Sequence, residues 1–239
     1  MKINELSGGV IYIEDAFPLH KEFIKAIEEN DENKNINSII PPWDKWMDGS
    51  PINGVWEPIH ERGWVKNIDW DYTINKENVK WPRIEVGADY SEEHAQAYNI
   101  LKMIDEPYKK TLDIWAEKTG NQKINLITKN YTIKKYNTSQ MIAAHSDRDH
   151  DHDFNTFDWT ALIYLNDNYE GGRLEFNNLG YSIEPTAGSI VFFSSDEVHT
   201  AHPVLFGHKY FIFLYIQSKF GFSHALNERF FDLVNHMKD

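Results

Sequence analysis

From residue 124 to residue 216 the chain stops placing apolar residues at helical steps and sets them in short runs broken by turn formers. Residues 124–136, 160–166 (TALIYLN), 188–193 (GSIVFF) and 209–216 (KYFIFLYI) are rich in β-branched and aromatic side chains and are bounded by Gly, Pro, Asn or Asp. Such runs predict strands, and strands that succeed one another without intervening helices favour an antiparallel sandwich or barrel over a parallel sheet. The Gly171-Gly172 pair supplies one turn between strands, and Pro185 to Gly188 supplies another ahead of a buried strand. The mouth of such a barrel is a common ligand site.

The first half has a different period. Residues 9–17 alternate as a strand does, and 18–30 place Leu19, Phe23, Ala26 and Ile27 on one helical face after Pro18. From about 94 to 119, Tyr98, Leu101, Ile104, Tyr108, Leu112 and Trp115 recur at three- and four-residue steps, a buried helical stripe that Pro107 is expected to split into two helices. Residues 31–93 show poor periodicity and frequent Asn, Asp, Gly and Pro, so they are predicted as irregular. Six of the eight tryptophans (Trp43, Trp46, Trp56, Trp64, Trp70, Trp81) fall there, and that density argues against disorder. Their use is either ordinary packing or a substrate-facing surface. A terminal helix is predicted over 224–237. With no repeat and no linker to cut the 239 residues, one domain is expected over 1–239, mainly β with flanking helices. It comprises an N-terminal part to 123, a strand-rich core over 124–217 and a C-terminal helical tail over 218–239.

Composition limits the chemistry. The chain has no cysteine, which excludes disulfides, thiolate metal sites, iron–sulfur clusters and a cysteine nucleophile, so a transition metal must rest on imidazole and carboxylate. There are 11 His and 37 Asp and Glu to draw on. The 24 Lys and Arg leave a net charge of −13, which argues against a nonspecific grip on nucleic acid or an anionic membrane. No apolar run approaches the roughly 18 residues of a membrane span, and the N-terminal residues lack the pattern of a secretory signal. A soluble, cytoplasmic protein is expected.

Six of the histidines lie between 145 and 208. In His145-Ser-Asp147 the two side chains point to one face of an extended segment, so both can reach one ion. The spacing alone has little weight: composition predicts about 1.7 His-x-acid pairs, and the chain has two, the second being His20-Lys-Glu22 on the amphipathic helix, where a solvated surface histidine suffices. An ordered series of downstream residues gives the first pair its weight. Tyr164-Leu165-Asn166 comes next, then Gly171-Gly172-Arg173-Leu174-Glu175-Phe176, then Pro185 to Gly188-Ser189. His199, Pro203-Val204 and Gly207-His208-Lys209-Tyr210 complete the series. His199 brings a third ligand from a distant strand, and Lys209, after a turn near 204–207, brings a cation beside the metal. His202 competes with His199 for the third position, and Asp149, His150 and His152 compete with the first pair in a charge-dense loop.

In these landmarks the sequence resembles the non-haem Fe(II)/2-oxoglutarate-dependent dioxygenases, and within them the prolyl 4-hydroxylase-like branch. The likeness covers about 124–217, with a looser match over 9–30. It implies a double-stranded β-helix (jelly-roll) core that holds one Fe(II) through His145, Asp147 and His199, with coordination positions left open. It implies that Lys209 holds the distal carboxylate of the cosubstrate 2-oxoglutarate, with Tyr136 and Tyr164 as hydrogen-bonding tyrosines, O2 as oxidant and ascorbate as an optional reductant. The branch usually has Arg where this chain has Lys209. A lysine is a point charge without the planar fork, so a tyrosine hydroxyl gains importance as second donor. The resemblance implies hydroxylation of a prolyl residue in a peptide or protein, with a free amino acid or other small molecule as the alternative substrate. A non-catalytic, cupin-like metal or ligand binder is the rival reading, and nucleic acid and membrane partners are not expected.

Overall fold

The computed structural model describes residues 1–29, 40, 42–52, 55–68, 72–73, 92–121, 126–148 and 158–218. In chain order the elements are β1 (Lys2–Glu5), β2 (Ile11–Glu14), α1 (His20–Glu29), β3 (Asp44–Ile52), β4 (Val55–Ile68), β5 (Tyr72–Thr73), α2 (Glu92–Thr119) and β6 (Leu126–Tyr136). They continue with β7 (Ile142–His145), β8 (Trp159–Tyr164), β9 (Glu170–Gly171), β10 (Leu174–Phe176), β11 (Tyr181–Ile183) and β12 (Ser189–Ser194). The last three are β13 (His199–Ala201), β14 (Val204–Phe206) and β15 (Lys209–Ser218).

Nine strands form a large sheet in the order β1-β2-β12-β8-β15-β6-β4-β3, with β5 pairing β6. Four form a small sheet, β11-β10-β13-β7, and β14 pairs β9. Every strand pairing is antiparallel. Alternation along the central strands assigns their two faces. Tyr12, Leu162, Tyr164, Val191, Phe193, Phe211 and Phe213 turn toward the small sheet and meet its Leu174, Phe176 and Ile183. Ile13, Ile163, Ile190, Phe192, Ile212 and Leu214 turn the other way, onto Phe23 and Ile27 of α1 and the stripe Leu101, Ile104, Tyr108, Leu112 and Trp115 of α2. Trp115 stacks on Phe192 at 5.5 Å. The architecture is the expected double-stranded β-helix, with the helices packed outside the large sheet. Among the described residues no helix is long and apolar enough to cross a membrane.

Three expectations about elements need correction. Residues 31–93 are not irregular throughout: β3 and β4 form a long hairpin that extends the large sheet. Register shifts between Trp46 and Met47 and between Asp48 and Gly49 break the alternation that would have revealed it. Among the described residues β4 pairs with β6 only through Trp64–Ile68, so at Pro58 its neighbour is β3 alone. Second, Pro107 does not split the helix: α2 runs from Glu92 to Thr119 through it. The stripe buried on the large sheet outweighs the lost donor and the crowding of the preceding turn. Third, β1, which pairs with β2, lies ahead of the predicted opening strand. The helix predicted over 224–237 lies outside the described residues.

Candidate metal centre

His145 ends β7 and His199 begins β13, and the two residues are direct partners in the antiparallel register. Their rings therefore share a face, 4.4 Å apart between centroids. Asp147 lies two residues further on. Its N–H and that of Arg148 both donate to the Ser195 carbonyl at 3.0 Å, which ties the segment after β7 to the end of β12. That tie sets the Asp147 carboxylate between the imidazoles. Oδ1 is 3.4 Å from His145 Nε2, Oδ2 is 3.6 Å from His199 Nε2, and one ligand atom from each residue lies within 4.8 Å of the others.

The surrounding hydrogen bonds prepare these atoms for a cation. His145 Nδ1 donates to the Ala143 carbonyl at 2.8 Å and His199 Nδ1 to the Glu197 carbonyl at 3.0 Å, so each ring turns Nε2 toward Asp147. Thr160 Oγ1 donates to Asp147 Oδ2 at 2.7 Å. Burial by itself would push the Asp147 carboxyl up, but the hydrogen bond with His145, the pull of His199 and the Thr160 hydroxyl outweigh it and hold the group below the ordinary carboxylate range. Burial also lowers the His199 imidazole, favouring its neutral, ligating form. Two imidazoles and a charged carboxylate on one rim fit a two-histidine, one-carboxylate iron site. Asp147 and His199 side chains are only 5% and 4% exposed while His145 is 32% exposed.

This group lines a cavity of about 200 Å³ between the two sheets, and Lys209, Tyr136 and Tyr164 line it too. Lys209 on β15 pairs directly with Tyr136 on β6. Lys209 is buried; its Nζ donates to the Gly172 carbonyl at 2.5 Å and lies 4.9 Å from the Tyr164 ring and 5.6 Å from Phe211. Burial pushes its ammonium down to about 7. Gly172 has φ +68°, and a Cβ there would stand 2.9 Å from the Tyr169 ring and 3.2 Å from Lys209 Cδ, so glycine is what lets the chain pass this close. The Tyr136 hydroxyl is buried without a hydrogen-bond partner, and burial raises its pKa so that it stays a donor. A buried cation beside an orphaned donor fits an anionic ligand such as a carboxylate.

His199 and Ala201 line the cavity, but His202 does not. Its Nε2 pairs with Glu175 at 2.5 Å, and it lines a separate groove with Tyr169, Gly171 and Pro203. His20 is not a solvated surface residue: its Nδ1 donates to the Leu165 carbonyl at 2.8 Å. Asp149, His150 and His152 lie outside the described residues. Three contributors escaped the sequence reading, Thr160, Arg62 and Lys134, while Trp46 belongs to the tryptophan-rich stretch read as either packing or a substrate-facing surface. Thr160 carried a signal, as the polar member of the row Thr160, Leu162, Tyr164, since a buried hydroxyl needs a partner. Lys134 carried another, two residues before Tyr136 and hence on the same face. Trp46 and Arg62 sit in the hairpin that lacked a readable period.

Residues 131–217, the stretch that includes His145, Asp147, His199 and Lys209, match the family model described as the 2OG-Fe(II) oxygenase superfamily. A comparison with curated proteins finds no match. Among solved structures, the chain is similar to an oxidoreductase of the 2OG-Fe(II) oxygenase family from Burkholderia pseudomallei. The TM-score is 0.57 and the identity 13%, over 92% of this chain and 94% of that one. It is also similar to a prolyl hydroxylase in complex with a hypoxia inducible factor oxygen degradation domain peptide fragment from Trichoplax adhaerens. There the TM-score is 0.55 and the identity 14%, over 89% of this chain and 85% of the other. At these identities the likeness is one of fold.

Proposed function

We propose, on the match of residues 131–217 to the 2OG-Fe(II) oxygenase superfamily model, that the chain is an Fe(II)/2-oxoglutarate-dependent hydroxylase acting on a prolyl residue in a peptide or protein. The observation that carries the chemistry is the meeting of His145, Asp147 and His199 with Lys209 and Tyr136 in one cavity. The prolyl assignment draws on the Trichoplax relative, whose structure contains a peptide.

Fe(II), O2 and 2-oxoglutarate, when bound, supply the oxidation: the cosubstrate loses CO2 and leaves as succinate with one oxygen atom, and the other enters a substrate C–H bond. In this reading His145 and His199 present Nε2 to the iron, their tautomers fixed by the Ala143 and Glu197 carbonyls. Asp147 gives one carboxylate, and Thr160 holds its rotamer. Lys209 takes the distal carboxylate of the cosubstrate as a point charge, and the Tyr136 and Tyr164 hydroxyls stand beside it as further donors. The walls Leu162, Leu174, Phe211 and Phe213 keep water from the reacting centre. None of these side chains serves as a general acid or base in the oxidation itself.

A turnover screen tests the proposal. Succinate release from 2-oxoglutarate is measured with Fe(II) and proline-containing peptides, free amino acids or nucleic acid. Stimulation by the peptides supports the prolyl assignment. Stimulation by another class alone overturns that assignment and leaves the oxygenase chemistry standing.

A further inference from the structure

Lys209 opens β15 at a place where one of the two neighbouring strands has run out. β15 pairs with β6 from Lys209 onward, opposite Tyr136, but with β8 only from Phe211, opposite Tyr164. On the β8 side the backbone groups of His208 and Tyr210 lie beyond the ladder, and a strand end without partners frays. Lys209 needs the opposite, because its side chain is buried and its ammonium meets a single carbonyl, that of Gly172.

The residue two beyond Tyr164 fills the gap. Asn166 is buried, and its Nδ2 donates to the His208 carbonyl at 2.7 Å while its Oδ1 accepts from the Tyr210 N–H at 2.7 Å. The amide fits only this way round, since a carbonyl only accepts and an N–H only donates. The Leu165 N–H adds a bond to the Tyr210 carbonyl at 2.9 Å, and Asn166 Nδ2 also donates to Asn168 Oδ1 at 2.6 Å, which fixes the side chain itself. One side chain thus grips the residues on both sides of Lys209 and continues the ladder that β8 no longer supplies. The turn ahead of Lys209 lies against the same loop: a Cβ on Gly207, at φ +87°, would stand 3.2 Å from the Asn168 carbonyl oxygen and 3.3 Å from Tyr169 Cα. Residues 166–172 therefore hold Lys209 twice, its backbone through Asn166 and its ammonium through Gly172.

We infer that Asn166 is a positioning residue for Lys209: its side-chain amide replaces the missing backbone of β8 at the start of β15 and so fixes where the ammonium meets the distal carboxylate of the cosubstrate. This rests on the oxygenase reading above, in which Lys209 takes that carboxylate. Asn166 itself does not line the cavity, so it acts through Lys209 and touches neither iron nor cosubstrate.

Two measurements test the role. In metal-free protein grown with isotope-labelled lysine, the NMR signal of the Lys209 ε-methylene is assigned by its loss in Lys209→Arg. The Tyr164, Tyr169 and Phe211 ring centroids lie 4.9, 5.8 and 5.6 Å from the ammonium, so ring currents should set this signal apart from those of exposed lysines. In Asn166→Ala it should move toward them. Anaerobic titration of the Fe(II)-loaded variant should then show affinity for 2-oxoglutarate weakened by about fivefold or more, with Fe(II) affinity, measured by calorimetry, held. Asn166→Asp keeps the volume and the acceptor for Tyr210 but loses the donor to His208, so it should act in the same direction and serves if Asn166→Ala does not fold. A Lys209 signal that stays in place in the folded variant, a smaller loss of 2-oxoglutarate affinity, or an equal loss of Fe(II) affinity overturns the role. A wild-type protein that binds no 2-oxoglutarate refutes the oxygenase reading instead, and the lysine signal still judges the grip of Asn166 on Lys209.

Discussion

Replacing Asp147 by Ala removes the one carboxylate among the described cavity-lining residues and leaves two imidazoles facing each other across 4.4 Å. Asp147→Ala and His145→Ala are therefore expected to purify with the fold intact and without stoichiometric iron, measured by metal analysis, and to release no succinate. Full iron occupancy with full turnover in either would remove that residue from the site. Thr160→Val deletes the hydroxyl on Asp147 Oδ2 at nearly constant volume, so iron affinity should fall by about 10–100-fold. An unchanged iron affinity would deny Thr160 that role. Lys209 predicts a pH dependence with a definite sign. Its ammonium titrates near 7 in the free protein, and a bound carboxylate favours the protonated form. Affinity for 2-oxoglutarate should therefore be highest below about pH 7. It should weaken by up to roughly tenfold per pH unit above that, and the slope should vanish in Lys209→Arg, whose guanidinium stays charged. Tighter binding at higher pH would contradict the assignment. At this scale the residues with simple spacing were legible: His145, Asp147, His199, Lys209, Tyr136 and Tyr164 all line one cavity. Thr160 was hidden because its partner Asp147 is reached through a fold in the chain.

Between strands and helices, legibility tracked regularity. The runs around β8, β12 and β15 are continuous β-branched and aromatic stretches bounded by turn formers, and were found within a residue or two of their ends. The hairpin β3–β4 was not found, because its two register shifts and its prolines destroy the period that a sequence reading relies on. This left Arg62 unread as a wall of the site and Trp46 without a strand to place it. In α2 the error ran the other way: local propensity at Pro107 pointed to a break, and burial of Leu101, Ile104, Tyr108, Leu112 and Trp115 overrode it. The strain should still be measurable. Pro107→Ala restores a donor and relieves the crowding, so denaturant unfolding should show a gain of about 1–3 kcal/mol with turnover unchanged. A loss of stability would mean that the proline is positioned to advantage in this helix.

Across the whole molecule, one sheet does two jobs through alternation. Its outward side chains bind the helices and fix the scaffold, while its inward ones, from Tyr12 to Phe213, face the small sheet and line the cavity. The layers were legible because the strand runs are apolar on both faces and bounded by turn formers. The substrate was not, because the lining of the cavity comes from strands distant in sequence. The central claim is that His145, Asp147 and His199 hold an iron that 2-oxoglutarate joins while Lys209 holds its far end. Anaerobic titration of the Fe(II)-loaded protein with 2-oxoglutarate, monitored by visible absorption, tests it most directly. The account predicts a charge-transfer band that saturates at one iron and one 2-oxoglutarate per chain and is absent in Asp147→Ala. A wild-type protein that shows no band with both in excess would contradict it.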